Sequence, residues 1–270
     1  MADPPFQRDL YRGTADDYDR FRPPYPPALI EDMARRSGAD GTGRLLDLGC
    51  GTGQITFALH DRFAEVWAVD QEPDMVRVTR AKAAAAAGAS IRVLACPVEQ
   101  LDAPEQQADL VAIGNAFHRM PRAAVAARAF GWLRPGRFLA RLWGGSPWDG
   151  EAPWQQAMAA TMRDWQDRLG AADRVPPGYQ QARREQPDQA VLQQAGFRLA
   201  GSPEFPGVHD WTPDELAGYV FSTSVLSRAV LGGQAAAFAA ELRREVRAAG
   251  PAGPLRQDAR WGYDLAVRPA

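Results

Sequence analysis

The sequence predicts an α/β protein built on an open, doubly wound, mostly parallel sheet. Three observations carry this expectation. Short apolar runs at 44–48, 65–70, 91–95, 109–113 and 137–143 alternate with longer stretches of helical periodicity, the pattern of parallel βαβ units. The first run passes into Gly49-Cys50-Gly51-Thr52-Gly53, a glycine turn between a strand and a helix. Asp47, Asp70 and Asn115 fall at the carboxyl ends of these runs, where such sheets bind ligands.

Taken in order, 16–20 suits a short helical turn and the prolines of 23–27 stop it, so helix resumes only at Ala28 and ends near Gly38. The first strand, the glycine turn and a helix over 55–63 follow. After the strand at 65–70, Pro73 opens a helix that runs through the alanine block to Gly88, with proline inside the start and glycine past the end. Strands at 91–95 and 109–113 precede a helix over 122–133, a stop at Arg134-Pro135-Gly136 and a fifth strand at 137–143. Beyond the loop at 144–153 the pattern gives a helix at 154–169, an irregular stretch at 170–186 and a short helix at 188–195. A strand at 197–200, resuming at 205–208, comes next. Thr212-Pro213-Asp214-Glu215 then starts a helix expected to reach about Leu231. A helix at 234–248 and a strand within 261–267 complete the chain.

At 270 residues and a net charge of −2, one large domain is expected, with no basic field for nucleic acid. Lys82 is the sole lysine, a composition bias rather than a signal. Cys50 and Cys96 form neither a disulfide framework nor a metal-ligand spacing. The start of the chain has no apolar leader and no window approaches a membrane span. A cytoplasmic protein is therefore expected, a monomer or homodimer without membrane, nucleic-acid or metal partners.

The glycine turn is not a dinucleotide fingerprint: counted from Gly49, the last glycine of G-x-G-x-x-G would be Gln54. Nor does the Lys-Ser/Thr pair of a phosphate loop follow it. Asp47 beside the turn would repel a pyrophosphate but suits a ligand carrying an ammonium or sulfonium. Asp70, seventeen residues after Gly53, can accept both hydroxyls of a ribose.

Residues 45–53, Leu-Leu-Asp-Leu-Gly-Cys-Gly-Thr-Gly, closely resemble motif I of the class I S-adenosylmethionine-dependent methyltransferases. Asp70 matches that family's ribose-binding acid, Val98-Glu99 resembles the segment beside the adenine, and residues 114–118 resemble the loop lining the transfer site. The stretch 18–26 and the segment 211–224 look like the lid and cover of a small-molecule subgroup. The chain departs from many relatives at Arg119-Met120-Pro121 and at Cys96-Pro97, which leaves the acceptor open.

The resemblance implies a Rossmann-like, seven-stranded sheet with a helical lid and insertion over its carboxyl ends. One domain would comprise an N-terminal lid (1–27), a cofactor-binding core (28–143), an insertion (144–196) and C-terminal strands with substrate-covering helices (197–270). It implies S-adenosyl-L-methionine as cofactor and a small, apolar or aromatic acceptor. The expected cofactor residues are Tyr18, Arg22, Asp47, Gly49, Cys50, Gly51, Gly53, Asp70, Gln71, Met75, Val98, Glu99 and Asn115. Arg22 would pair with the cofactor's carboxylate, and Tyr11 would help close the lid. Met75 at helical spacing equally suits the core, and Glu99 a helix start. His118 is the catalytic candidate, a general base for an oxygen acceptor or else a loop histidine. Phe21, Tyr25, Phe117, Trp143, Trp148, Trp154, Trp211 and Phe221 are chamber candidates or core. Two other readings remain open: a cyclisation or isomerisation on the same fold, and a non-catalytic cofactor-binding protein.

Overall fold

The computed structural model describes residues 6–7, 9–86, 90–174 and 176–270. Two helices precede the sheet, α1 (Ala15–Phe21) and α2 (Pro27–Ser37); Gly38 ends α2 in the left-handed region at φ 66°. Then come β1 (Arg44–Leu48), α3 (Gln54–Leu59), β2 (Glu65–Asp70), α4 (Pro73–Ala85), β3 (Ser90–Ala95), β4 (Ala108–Gly114), α5 (Arg122–Trp132) and β5 (Leu133–Gly144). The expected stop of α4 at Gly88 lies outside the described residues. No separate turn follows α5. Leu133 pairs with Ala108, and Arg134-Pro135-Gly136 is absorbed as an irregularity in that ladder.

The second half contributes α6 (Pro153–Leu169), α7 (Tyr179–Glu185), α8 (Asp188–Gln194), β6 (Arg198–Gly201), β7 (Glu204–Trp211), α9 (Pro213–Phe221), α10 (Arg228–Leu231), α11 (Ala235–Ala249) and β8 (Leu255–Val267). Two expectations fail here. The stretch 170–186 contains α7. The helix expected to run to Leu231 breaks at Ser222, because Ser222 Oγ and Thr223 Oγ1 turn back to the Tyr219 and Val220 carbonyls at 2.6 and 2.7 Å.

The sheet order is β3-β2-β1-β4-β5-β8-β6, with β7 also on β8. β1 to β5 are mutually parallel and β8 is antiparallel to its neighbours. The expected seven positions are present, but two strands share the last. β6 pairs with 265–267 of β8, and β7 with 255–262. β8 meets the end of β5 at Trp261↔Gly144, so β7 and the first residues of β8 continue past the carboxyl end of β5.

Side chains alternate between the two faces, as strands require. Leu46, Leu48, Val69, Val111 and Ile113 pack with Val125, Ala126, Ala129 and Trp132 of α5 and with α8. Leu45, Val66, Leu110 and Ala112 pack with Leu29 and Met33 of α2 and with α3. A separate apolar cluster joins α6, α9 and α11 with Trp211 and Leu255, so the β7/β8 extension roots a helical cap beyond the carboxyl edge. A smaller one sets Ala15 of α1 against Met75 and Val78 of α4.

Candidate functional site

The glycine turn carries three left-handed residues, Gly49, Gly51 and Gly53, at φ 68°, 55° and 87°. At Gly49 a Cβ would stand 2.8 Å from both Ala116 Cβ and Met120 Cε; at Gly53 it would meet the Phe57 ring at 2.4 Å. Glycine is required at both by conformation and by space. Val69 O accepts from Gly49 N (2.8 Å) and Cys50 N (3.0 Å), binding the turn to the end of β2. Asp70 adds a second tie: Oδ2 accepts from Gly51 N at 2.8 Å and Oδ1 from Glu72 N at 2.9 Å.

Asp47 does not line a cavity wall. It is 1% exposed, and its Oδ2 accepts from Thr56 N (2.9 Å) and Thr56 Oγ1 (2.6 Å). It thus caps an N–H in the first turn of α3. Its Oδ1 has no partner, and burial pushes the carboxyl up to about 7.

A cavity of about 340 Å³ lies against the turn. Of the expected cofactor residues it collects Tyr18, Gly49, Gly51, Asp70, Gln71, Met75, Val98, Glu99 and Asn115. Cys50 and Gly53 stand behind it with Asp47 and shape the turn. Met75 serves both expectations, since it also packs under Ala15. Asn115, at the end of β4, holds a left-handed conformation at φ 49°, one that Asn adopts more readily than most residues.

The sequence reading missed several lining residues. Phe6, Gln7 and Leu10 come from the segment before α1, which is tied down by Gly13 N on Asp74 Oδ2 at 2.9 Å. Glu72 is 4% exposed, its Oε1 has no partner, and burial raises its carboxyl to about 7. Nothing in Gln71-Glu72-Pro73 signals that burial. Gln54 also has a role beyond breaking the fingerprint: its Nε2 donates to the Arg22 and Pro23 carbonyls at 3.2 and 3.3 Å, pinning the N-terminal segment to the turn.

A second cavity, of about 250 Å³, meets the first at Tyr11, Tyr18, Asn115 and Arg119, which line both. Arg22 faces this one. Its Nε donates to Ser222 Oγ (2.8 Å) and its Nη1 to the Tyr219 hydroxyl (2.9 Å), while the guanidinium lies over the Tyr18 and Tyr219 rings at 4.8 and 4.3 Å. Of the chamber candidates, Tyr25, Trp148 and Trp211 line it, joined by Tyr219 and Trp261. Phe117, Trp154 and Phe221 belong to the apolar clusters. Trp143 packs against Gly262, and Phe21 against Gly218.

His118 lines the second cavity, but its environment does not suit a general base. Nε2 accepts from Arg119 Nε at 3.1 Å. Burial first, then Arg119, Arg183 and Arg141, pull its pKa down to about 3. An imidazole so placed stays neutral and holds a further proton poorly.

Residues 45–136 match a family model described as a methyltransferase domain. An uncharacterized methyltransferase of Mycobacterium bovis is 33% identical over 126 residues, 47% of this chain and 48% of the relative. Over this core the chain is similar to the class I methyltransferases. A trans-aconitate 2-methyltransferase of a Mycobacterium species is 31% identical over 160 residues, 55% of this chain and 59% of the relative. The chain thus spans about half the length of the curated relatives it matches. A solved structure from Anaeromyxobacter dehalogenans superposes with a TM-score of 0.62 at 23% identity, covering 91% of this chain and 97% of the other. That likeness establishes a shared fold.

A class I methyl donor carries a sulfonium and an ammonium, and the first cavity suits it. Three carboxyl groups line it, from Asp70, Glu72 and Glu99; one oxygen, Glu72 Oε1, is buried without a partner, and a cation beside it would favour the charged form of Glu72. Opposed charge is what a cationic ligand needs on leaving water.

Proposed function

We propose that this chain is an S-adenosylmethionine-dependent methyltransferase acting on a small molecule held in the second cavity. The observation that carries the reading is Asp70. Its carboxylate stands at the end of β2, locked to Gly51 N and Glu72 N, and still borders the first cavity. Each oxygen keeps a lone pair for one ribose hydroxyl.

Gly49 and Gly51 let backbone approach the donor, while Gln71, Met75, Val98 and Glu99 border its adenine. Tyr18 closes the methionine end, and Arg22, across the Tyr18 ring, meets its carboxylate. When bound, the donor supplies a methyl group already activated by sulfonium. The protein's work is then to align the acceptor and exclude water. Asn115 and Tyr18 stand where the two cavities meet. The segment before α1 and the helical cap cover them.

A small acceptor agrees with a chamber of about 250 Å³ walled by aromatic rings. The related trans-aconitate 2-methyltransferase, whose name specifies a small-molecule substrate, supports this. The test is formation of S-adenosylhomocysteine on adding a small-molecule fraction to the protein and donor. Product that depends on that fraction supports the reading; tight donor binding with no product from any fraction favours a non-catalytic role.

A further inference from the structure

The two adjoining cavities differ in charge. The first is lined by three carboxyl groups, from Asp70, Glu72 and Glu99, with Arg119 at its border with the second. Among the described residues, the second is lined by the guanidiniums of Arg22 and Arg119 and by no carboxylate. Neither arginine has an ion-pair partner among the described residues. Arg22 bonds to Ser222 and Tyr219, and Arg119 Nε to His118 Nε2. Nearby, Arg141 and Arg183 are paired with Asp188 at 3.2 and 2.9 Å, so the chain does supply counterions in this region. On the proposed reading the donor's own carboxylate answers Arg22. That leaves Arg119, at the junction of the cavities, with a positive charge for the acceptor to meet.

The chamber also offers no group fit to take a proton. Among the described residues that line it there is no Asp or Glu. Its imidazole, His118, is neutral, and its Nε2 is occupied by Arg119. An alcohol or phenol must shed a proton as it is methylated, and an alkyl amine, protonated near neutrality, must lose one before it can attack. A carboxylic acid is already ionised near neutrality.

We propose that the acceptor is a small aromatic or unsaturated carboxylic acid, methylated on its carboxylate, which Arg119 orients at the junction of the cavities. The inference rests on the methyl-transfer reading above. A carboxylate oxygen displaces the thioether from the methyl carbon of the donor. The O–C bond forms as the C–S bond breaks, carboxylate and sulfonium charges cancel, and the products are a methyl ester and S-adenosylhomocysteine. No proton is released and no base is required. His118 is a positioning residue that fixes the Nε edge of Arg119. Tyr25, Trp148, Tyr219 and Trp261 provide faces for the body of the acid.

The test uses methyl-tritiated S-adenosylmethionine with the small-molecule fraction of a source-organism extract and, separately, three compounds on one styryl frame: trans-cinnamate, 4-vinylphenol and cinnamylamine. We expect label that dilute alkali releases as methanol, and labelling of the acid at least about tenfold faster than of the phenol or amine. Arg119→Gln should raise KM for the acid on the order of 10- to 100-fold, with partial recovery in Arg119→Lys and donor affinity within about threefold of wild type. Alkali-stable label, or faster labelling of the phenol or amine, would overturn the carboxylate acceptor and leave methyl transfer standing. Absence of label from extract and panel alike would overturn both.

Discussion

Replacing Asp47 by Asn should stabilise the ligand-free protein, and increasingly so as pH rises. Asp47 is 1% exposed and sits over the start of α3 with only Oδ2 satisfied. Burial raises its carboxyl to about 7. A folded state that keeps the proton up to this pH, set against an unfolded chain that loses it near 4, is favoured below pH 4 and loses that advantage as pH rises through 7. The penalty for the charged form is on the order of 4 kcal/mol, and it is complete only above pH 7. Asn can accept from Thr56 through its oxygen and carries no charge to desolvate. Thermal unfolding of Asp47→Asn against wild type at pH 5 and pH 8 should therefore show a Tm difference larger at pH 8 by about 5–10 °C in favour of the variant. A difference of the same size at both pH values, or one favouring wild type more strongly at pH 8, would refute the buried, half-satisfied carboxylate.

Gly53→Ala must enter a left-handed conformation and place a methyl 2.4 Å from the Phe57 ring. We expect a loss of about 2–4 kcal/mol in chemical denaturation, and a loss under 1 kcal/mol would contradict the packing described. Arg122 and Asp188 form a buried pair at 2.8 Å with side chains 1% and 4% exposed. Because Asp188 keeps Arg141 and Arg183, Arg122→Ala should cost about 2–3 kcal/mol rather than the full penalty of an orphaned charge, read by urea unfolding. His118→Gln keeps an acceptor for Arg119, so the pH profile of kcat should match wild type between pH 6 and 9. The appearance or disappearance of an ionisation in that range would restore a proton-transfer role.

The sheet was legible because parallel strands buried on both faces read as apolar runs. Glu65–Asp70 has the bounds expected for it. The last sheet position was harder. β6 is short and mostly exposed, β7 alternates exposed and half-buried residues, and the two follow one another along a single edge, so they look like one interrupted strand. The break after Phe221 depends on serine and threonine side chains choosing backbone carbonyls, which composition alone does not decide. At the site, the glycine pattern and Asp70 were legible since strand ends and turn dihedrals leave local signatures. Glu72, Arg119 and the segment at 6–10 were not. Their importance comes from burial and charge balance across distant elements, as does the lowered basicity of His118, caused by burial, by the adjacent Arg119, by Arg183 of α7 and by Arg141 of β5.

Isothermal calorimetry of S-adenosylmethionine with the wild-type protein and with Asp70→Ala tests the assignment of the glycine-turn cavity most directly. We expect wild type to bind and the variant to lose affinity by at least about 100-fold, from the loss of two charge-assisted hydrogen bonds. Far-ultraviolet circular dichroism of both proteins serves as the check on folding. Equal affinity in two folded proteins, or no binding by wild type, would contradict the placement of the donor at Asp70.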